Sequence, residues 1–288
     1  MAKTSFWRTT LQAGCLCLAL FTLSGCALVA GSPPPQTTEG LETIKPGELW
    51  VAYRTDDKPA SFLENDTPAG FFVDLINDLG QRTGLKPSFV ATDFASALPS
   101  VRNHLYDTAA MSVLVTDERK QVVGFTTAVS YNGAQMVSRK NEPLPTVGAA
   151  KGKTVAVTRG SALITLLNAD YPGVEVKEFP NIAASLNGVL AGDVAGLFTG
   201  LATATQLQRD HPELTLSEAV VSGEIAFPVA SDHQRLLATL NTALAAAMED
   251  GTYTRLRQKW NPEEPIAPQL LKDYPGMPAT VSPSPSSK

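Results

Sequence analysis

The chain has 288 residues, of which 43% are hydrophobic, 18% charged and 7% aromatic. This composition is typical of a soluble globular protein and excludes a disordered, collagen-like or coiled-coil chain. The formal net charge of −5 argues against nucleic acid as a partner, because binding to phosphates needs clustered Lys and Arg.

The N-terminal segment has the pattern of an export signal. Lys3 and Arg8 precede an apolar run that is too short to cross a membrane as a stable helix. Leu23-Ser24-Gly25-Cys26 resembles a bacterial lipobox, in which the cysteine becomes the lipidated first residue. We therefore expect residues 1–25 to be a signal peptide and residues 26–44 a lipidated, Pro-rich tether. The alternative is a plain secretory signal with an incidental cysteine.

The cysteines and histidines restrict the possible metal sites. Cleavage before Cys26 removes the two other cysteines, which excludes an intramolecular disulfide and a cysteine-based zinc site. The three histidines, His104, His211 and His233, lie far apart in the sequence, so we expect no histidine-rich metal site. We expect no cofactor either.

The first part of the folded region alternates strand and helix patterns. The predicted elements are a strand at Glu48–Tyr53, a helix around Phe72–Leu79, a strand at Leu85–Ala91, a helix at Ala95–His104 and a strand at Thr108–Val115. The last strand is an almost unbroken apolar run, as expected when both faces are covered. This βαβαβ order predicts a parallel sheet.

The same pattern restarts in the second part. The predicted elements are a strand at Gly152–Thr158, a helix at Ala162–Ala169, a strand at Glu175–Phe179, a helix at Ile182–Leu190 and a strand at Val194–Thr199. We therefore predict an α/β protein with two lobes, each a mostly parallel sheet flanked by helices.

Two strand-like segments, Gln135–Arg139 and Glu224–Val229, are candidates for the crossings between the lobes. Together they predict a two-strand hinge. Apolar stripes after them predict a long helix that ends at Gly251 and a short helix that ends near Trp260. The predicted boundaries are 45–135 and 231–262 for lobe 1, 136–230 for lobe 2 with the hinge strands, and 263–288 for a Pro/Ser-rich tail.

Two strand-to-helix turns are candidates for a binding site, because ligands of open parallel sheets collect beyond the carboxyl ends of the strands. In the first turn, Thr116 fits an N-cap and Arg119 places a cation against the helix dipole. A bound carboxylate would remove that electrostatic cost; the alternative is a solvated arginine. In the second turn, Ser161 offers a hydroxyl and backbone N–H groups to an anion; the alternative is an ordinary N-cap.

Several short motifs also follow one another in a characteristic order between residues 47 and 261. They are Gly70-Phe71-Phe72-Val73-Asp74-Leu75, Asp93-Phe94, Thr116-Asp117-Glu118-Arg119, Gly160-Ser161, Ala191-Gly192-Asp193-Val194 and Asp250-Gly251-Thr252-Tyr253. The series resembles the bacterial extracellular solute-binding proteins of family 3, which supply polar amino acids to ATP-binding-cassette (ABC) importers. The resemblance implies the two-lobed periplasmic-binding-protein fold.

The resemblance also implies a set of ligand-binding residues. Arg119 would bind the α-carboxylate of the ligand with help from Ser112 and Ser161, and Leu114 stands where the family usually has a hydroxyl. The full set of candidate pocket residues is Arg119, Ser112, Ser161, Asp56, Phe62, Leu114 and Thr199.

Other positions depart from the family pattern. Ala162 replaces a threonine, Pro59 replaces the aromatic that stacks on the ligand, and Gly200 replaces the carboxylate that receives the α-ammonium. An ammonium left unpaired in a closed cleft would cost several kcal/mol. Either the ligand lacks that ammonium, or another acid such as Asp56 or Asp57 receives it.

These observations favour a lipid-anchored, monomeric solute-binding protein on the extracytoplasmic side of a membrane. Its lobes would close on a small anionic or zwitterionic solute and present it to the permease of an ABC importer. Two alternatives stay open: a sensor or assembly lipoprotein that has lost solute binding, and a dehydratase-like enzyme. The sequence argues against the enzyme, because it has no Gly-x-Ser-x-Gly elbow and no nearby Cys and His pair.

Overall fold

The computed structural model describes residues 40–281. The predicted signal peptide, Cys26, most of the tether and residues 282–288 of the predicted tail lie outside this range. Between residues 40 and 281, no helix combines the length and the apolar character needed to cross a membrane.

Lobe 1 is built on a three-stranded parallel sheet with the strand order β5-β1-β6. Its elements are β1 (Glu48–Tyr53), β2 (Asp56–Asp57), β3 (Ser61–Glu64), β4 (Thr67–Ala69), α1 (Phe71–Thr83), β5 (Lys86–Ala91), α2 (Phe94–Arg102), β6 (Thr108–Ala110), α3 (Asp117–Lys120) and β7 (Gly124–Phe125). The strands β2, β3 and β4 form an antiparallel meander that the sequence analysis did not predict.

The β6 strand is shorter than the predicted strand at Thr108–Val115. It ends at Ala110, and the chain then leaves the sheet. The N–H of Val115 donates to the carbonyl of Glu224 at 2.9 Å, on a segment that returns from lobe 2. Met111 and Val113 of this segment are buried in a lobe 1 cluster, while the alternate residues Ser112 and Leu114 line the space between the lobes.

Lobe 2 contains a six-stranded mixed sheet. Its elements are β8 (Ser130–Arg139), a 3-10 helix (Val147–Ala150), β9 (Thr154–Thr158), α4 (Leu163–Asp170), β10 (Glu175–Phe179), α5 (Ile182–Ala191), β11 (Gly196–Gly200), α6 (Leu201–Asp210), β12 (Leu214–Leu216) and β13 (Val220–Ile225). The strands β10, β9 and β11 are parallel, while β8 runs antiparallel to β11, β12 and β13.

Two strands, β8 and β13, carry the chain between the lobes. They pair with each other from Ser130 opposite Ile225 to Ala134 opposite Val220. Farther along, β8 pairs with the lobe 2 strands β11 and β12. The first crossing, β8, therefore begins at Ser130, five residues before the predicted Gln135. The second crossing, β13, ends at Ile225 and overlaps only the first two residues of the predicted segment Glu224–Val229.

The chain returns to lobe 1 through β14 (Pro228–Val229), which pairs with β7. Two helices follow, α7 (Gln234–Glu249) and α8 (Thr252–Trp260). Both pack against α1, and the Tyr253 hydroxyl donates to the carbonyl of Val129 at 2.7 Å. The C-terminal helices thus complete the core of lobe 1, as the apolar stripes predicted.

The described part of the predicted tail is folded, which corrects the assignment of residues 263–281. It contains α9 (Pro268–Asp273). Leu270 and Met277 are buried in the lobe 1 core, 1% and 6% exposed. The richness in proline had suggested a tail, but α9 begins with a proline at its first turn, where a missing N–H costs nothing.

The architecture confirms the predicted two α/β lobes joined by two strands, but the sheet of lobe 2 is mixed instead of mostly parallel, because β8 runs antiparallel to β11, β12 and β13. The core of lobe 1 lies between its sheet and the helices α1, α7 and α8, and the buried residues of lobe 2 pack around its own sheet. The carboxyl ends of β1, β6, β9 and β11 face the region between the lobes, which is where a parallel sheet places ligands.

Candidate functional site

An inner cavity lies between the lobes and contains about 640 Å³ of space, its open mouth included. Lobe 1 lines it with Arg54, Asp57, Phe94, Ser112 and Leu114, and lobe 2 with Thr158, Ser161, Phe198, Thr199, Gly200 and Thr203. Four of the seven residues predicted from sequence line this cavity: Ser112, Leu114, Ser161 and Thr199. Because both lobes line the cavity, its shape depends on how the lobes are arranged.

Arg119 lies in an outer cleft that adjoins the inner cavity and shares Leu114 and Ser161 with it. The Thr116 hydroxyl accepts a hydrogen bond from the N–H of Arg119 and so caps α3, as predicted. The guanidinium donates to the carbonyls of Leu114, at 2.7 Å, and of Gly160 in lobe 2, at 2.9 Å. Arg119 therefore connects the two lobes.

The environment of Arg119 suits an anion. Burial lowers the pKa of Arg119, and the nearby charge of Glu118 only partly opposes this. In the described part of the chain, no carboxylate lies within 4.0 Å of its guanidinium. Its two carbonyl partners are neutral, so the desolvated cation lacks a compensating charge. A ligand carboxylate would supply that charge and hydrogen-bond to the guanidinium.

Ser161 stands at the carboxyl end of β9, before α4. Its hydroxyl oxygen accepts the N–H of Leu163 at 3.2 Å, so the hydroxyl proton can still be donated to a ligand in the cavity. The N-cap of α4 is Ala162, so Ser161 is not the ordinary N-cap that was the alternative. Its hydroxyl contacts the first residue of the helix, and Ser161 lines the cavity.

Arg54 and Asp57 form a buried ion pair that the sequence analysis did not predict as a unit. They are 6% and 5% exposed, and Arg54 Nη1 lies 3.6 Å from Asp57 Oδ2. The Thr203 hydroxyl of lobe 2 donates to Asp57 Oδ1 at 2.6 Å. Burial raises the pKa of Asp57, while Arg54 and Thr203 oppose the rise. Arg54 follows β1 directly, and that position beyond a strand end was the available signal.

Asp56 and Phe62 are not among the residues that line the inner cavity, which corrects two predicted positions. Asp56 pairs with Arg54 at 3.0 Å, and its other carboxylate oxygen accepts the N–H of Ile182, at 2.6 Å, and of Ala183, at 3.3 Å. Phe62 is 5% exposed and packs edge-on against Trp260 with the ring centroids 5.6 Å apart. Asp56 connects the lobes, and Phe62 belongs to the lobe 1 core.

Gly200 leaves space in the cavity where other residues would project a side chain. It follows Thr199 at the end of β11, and a Cβ atom placed on it would have no heavy atom within 4 Å. The nearest candidate for a ligand ammonium is then Asp57, because it is the acidic residue among those that line the inner cavity within residues 40–281. Pro59 lies in a separate groove, and Ala162 lines the outer cleft.

Comparisons with known proteins identify the family and support the fold. The sequence profile of the bacterial extracellular solute-binding proteins, family 3, matches residues 49–263. The probable amino-acid-binding protein YxeM of Bacillus subtilis is 29% identical over 223 residues, 75% of this chain and 84% of that protein. The ABC transporter arginine-binding protein 1 of Escherichia coli is 26% identical, over 69% and 84% of the two chains.

A solved structure of an ancestral arginine-binding protein bound to glutamine superposes with a TM-score of 0.72 at 27% identity. The match covers 75% of this chain and 99% of that one. The two lobes, the cavity between them and the profile match over most of the chain lead to one assignment: the protein belongs to the bacterial extracellular solute-binding proteins of family 3.

Proposed function

We propose that the cleft binds a small zwitterionic solute, an amino acid or a close derivative. The ligand carboxylate lies at Arg119 and Ser161, and its ammonium faces Asp57. The observation that carries this proposal is the desolvated guanidinium of Arg119, which has neutral carbonyl partners and no carboxylate partner in the described range. The names of the relatives, which include arginine-, cystine- and histidine-binding proteins, support this substrate class.

The charges of the cleft support a zwitterion over a simple anion. Arg54 is shared by Asp56 and Asp57, so this group carries a net charge of −1, while Arg119 contributes +1 at the other side. A ligand with one charge of each sign would be neutralised at both ends. Gly200 takes the place of the family's usual carboxylate, and Asp57 supplies the negative group from the opposite lobe.

The proposed role in the cell is delivery of this solute to the permease of an ABC importer by a lipid-anchored monomer. Lobe closure would convert ligand binding into a shape that the permease recognises. Attachment through Cys26 follows from the lipobox pattern of the sequence. We infer that the protein is not an enzyme, because the cavity-lining acid Asp57 is held by Arg54 and Thr203 and is poorly placed to act as a free general acid.

The substitution Arg119→Ala tests the binding site. Thermal shift with the twenty standard amino acids, ornithine and cystine identifies the strongest solute, and calorimetry then measures its affinity. We expect Arg119→Ala to weaken binding at least about 30-fold, or about 2 kcal/mol, because a buried charge-assisted contact is lost. Lys120→Ala is the matched control, since it removes an exposed cation from the same helix.

Unchanged affinity in Arg119→Ala would overturn the site assignment. A complete lack of thermal shift with amino acids, their derivatives and organic acids would instead favour the sensor or assembly lipoprotein. Mass spectrometry of solute retained by gently purified protein gives an independent answer, because it does not depend on the choice of test compounds.

A further inference from the structure

A cluster of His104, Asp232 and His233 lies on lobe 1. His104 is in the turn after α2, while Asp232 and His233 directly precede α7. The two imidazole rings stack with their centroids 4.6 Å apart and an angle of 9° between their planes. His104 Nε2 lies 3.0 Å from Asp232 Oδ1. One donor atom from each residue lies within 4.8 Å of the other two.

We expected no histidine metal site because the histidines lie far apart in the sequence, but the fold brings two of them into contact. His104 and Asp232 are 128 positions apart in the sequence, so no local spacing motif connects them. The fold brings them together because the end of α2 and the start of α7 meet at one edge of lobe 1.

The Nδ1 atom of His233 gives a second, independent observation. It is buried and has no hydrogen-bond partner among residues 40–281. A buried polar atom without a partner costs free energy, so each such atom in a native protein calls for an explanation. The His233 side chain makes no capping hydrogen bond to α7, so helix capping does not explain the unpartnered nitrogen.

Asp107 adds negative charge beside the cluster. It is fully buried, and its carboxylate accepts the backbone N–H groups of Ile44, at 2.9 Å, and Trp50, at 2.6 Å. With Asp232, it places two carboxylates near the imidazole of His233. A cation bound between these groups would be electrostatically favoured.

We propose that His104, Asp232 and His233 bind one divalent transition-metal ion of the zinc class. Imidazole nitrogens and a carboxylate oxygen are preferred zinc donors, and three of them leave the fourth tetrahedral position to water. Each donor must come to about 2.0–2.2 Å from the ion. The side chains of His104 and Asp232 are 45% and 66% exposed, so they can rotate toward it. Ions such as Mg²⁺ and Ca²⁺ prefer sites made of oxygen donors alone.

This site is separate from the solute site. None of the three residues lines the inner cavity or the outer cleft within the described chain. Metal binding would join the turn after α2 to the start of α7 inside lobe 1 without using a cleft-lining side chain, so Arg119→Ala should bind zinc as the parent does. The two proposals can succeed or fail independently.

The test is calorimetric titration of ZnCl₂ into the full chain in detergent, without a polyhistidine tag or chelating buffer. We expect one saturable site. His104→Gln and Asp232→Asn should each weaken zinc binding by at least about 10-fold, as loss of metal-site residues does elsewhere. His211→Gln is the matched control, because His211 is the third histidine of the chain and also lies near a carboxylate, that of Glu213 at 3.4 Å. Its affinity should equal that of the parent.

Three results would overturn the proposal: no saturable zinc binding, zinc binding retained in the His104→Gln, His233→Gln double variant, or an equal loss in His211→Gln. MgCl₂ in the same titration should give no binding, and a tight magnesium site would also contradict the proposed donor set. If His233→Gln unfolds, the His104 and Asp232 variants carry the test because those side chains lie at the surface.

Discussion

At the scale of single residues, burial acts in opposite directions on the two charges of the cleft. It lowers the pKa of Arg119 and raises the pKa of Asp57, because a poorly solvated site disfavours the charged form of either group. Because the pKa of Asp57 is higher in the folded than in the unfolded protein, its ionised form lowers the free energy of unfolding. This loss of stability develops as the pH rises above the unfolded pKa and is relieved as the pH falls. A zwitterionic ligand would reduce both penalties together, so binding stabilises the closed cleft.

Gly70 is a residue whose local geometry can be tested directly. It precedes α1 with φ at 120°, and a Cβ atom placed on it would lie 2.6 Å from the carbonyl oxygen of Ala60. Gly47 also has a positive φ, 77°, but its Cβ would meet no atom within 4 Å. We expect Gly70→Ala to lower the free energy of unfolding by about 3 kcal/mol or more, and Gly47→Ala by only about 1 kcal/mol.

Urea unfolding of the two variants beside the parent measures this difference. The loss in Gly47→Ala measures the cost of placing a side chain on a residue with positive φ. The additional loss in Gly70→Ala measures the steric clash with Ala60. Equal losses in the two variants would show that the β2 to β4 meander does not press against the start of α1.

At the scale of elements, the sequence predicted the strands and helices that have a clear period and recognisable ends. The helix α1 stops at Gly84, which adopts the left-handed conformation, and α5 stops in the same way at Gly192. The meander of β2, β3 and β4 was not predicted, since each of these strands has at most four residues. The helix α9 was not predicted either, because its burial depends on β8 and the lobe 1 core, which are distant in the sequence.

The start of α5 shows how one element connects the lobes. Asn181 caps this helix from within lobe 2, and Asp56 of lobe 1 accepts the N–H groups of Ile182 and Ala183. The contact combines hydrogen bonds with the attraction between a carboxylate and a helix N-terminus. We expect Asp56→Ala to destabilise the closed arrangement by about 1 kcal/mol and to weaken solute binding about fivefold.

Calorimetry with the solute found for the parent measures this loss, and small-angle scattering of the free protein should show a larger radius of gyration. Glu64→Ala is the control, because Glu64 is an exposed acid in the same meander. A parent-like affinity in Asp56→Ala would mean that its contact with α5 does not contribute to closure.

At the scale of the whole molecule, the lobes meet in a closed arrangement. Arg119 reaches Gly160, Thr203 reaches Asp57, and a Cβ atom on Gly160 would lie 3.0 Å from Ala95. The contact of Thr203 with Asp57 joins two cavity-lining residues from opposite lobes, so we expect closure and solute binding to be coupled. A variant that weakens the interlobe contacts therefore reduces the fraction of closed protein, and this lowers the apparent affinity for the solute.

The proposed lipid anchor is the other feature of the whole molecule that can be tested. We expect the full chain produced in a bacterium to partition into the detergent phase and to carry acyl mass on Cys26. Cys26→Ser should move to the aqueous phase, because a single thiol carries the lipid. Cys17→Ser is the control, since Cys17 lies in the predicted signal peptide. Detergent partitioning retained in Cys26→Ser would contradict lipid attachment at this position.

The sequence by itself determined the two α/β lobes, the N-cap at Thr116 and the places where strands end beside Ser161 and Thr199. These follow from periodicity and capping, which depend on residues close together in the chain. Only the tertiary structure decided that Arg54 and Asp57 enter the cavity, that Phe62 joins the core, and that His104 meets His233. Contacts between distant segments depend on how whole elements pack, and no local pattern of residues records that packing.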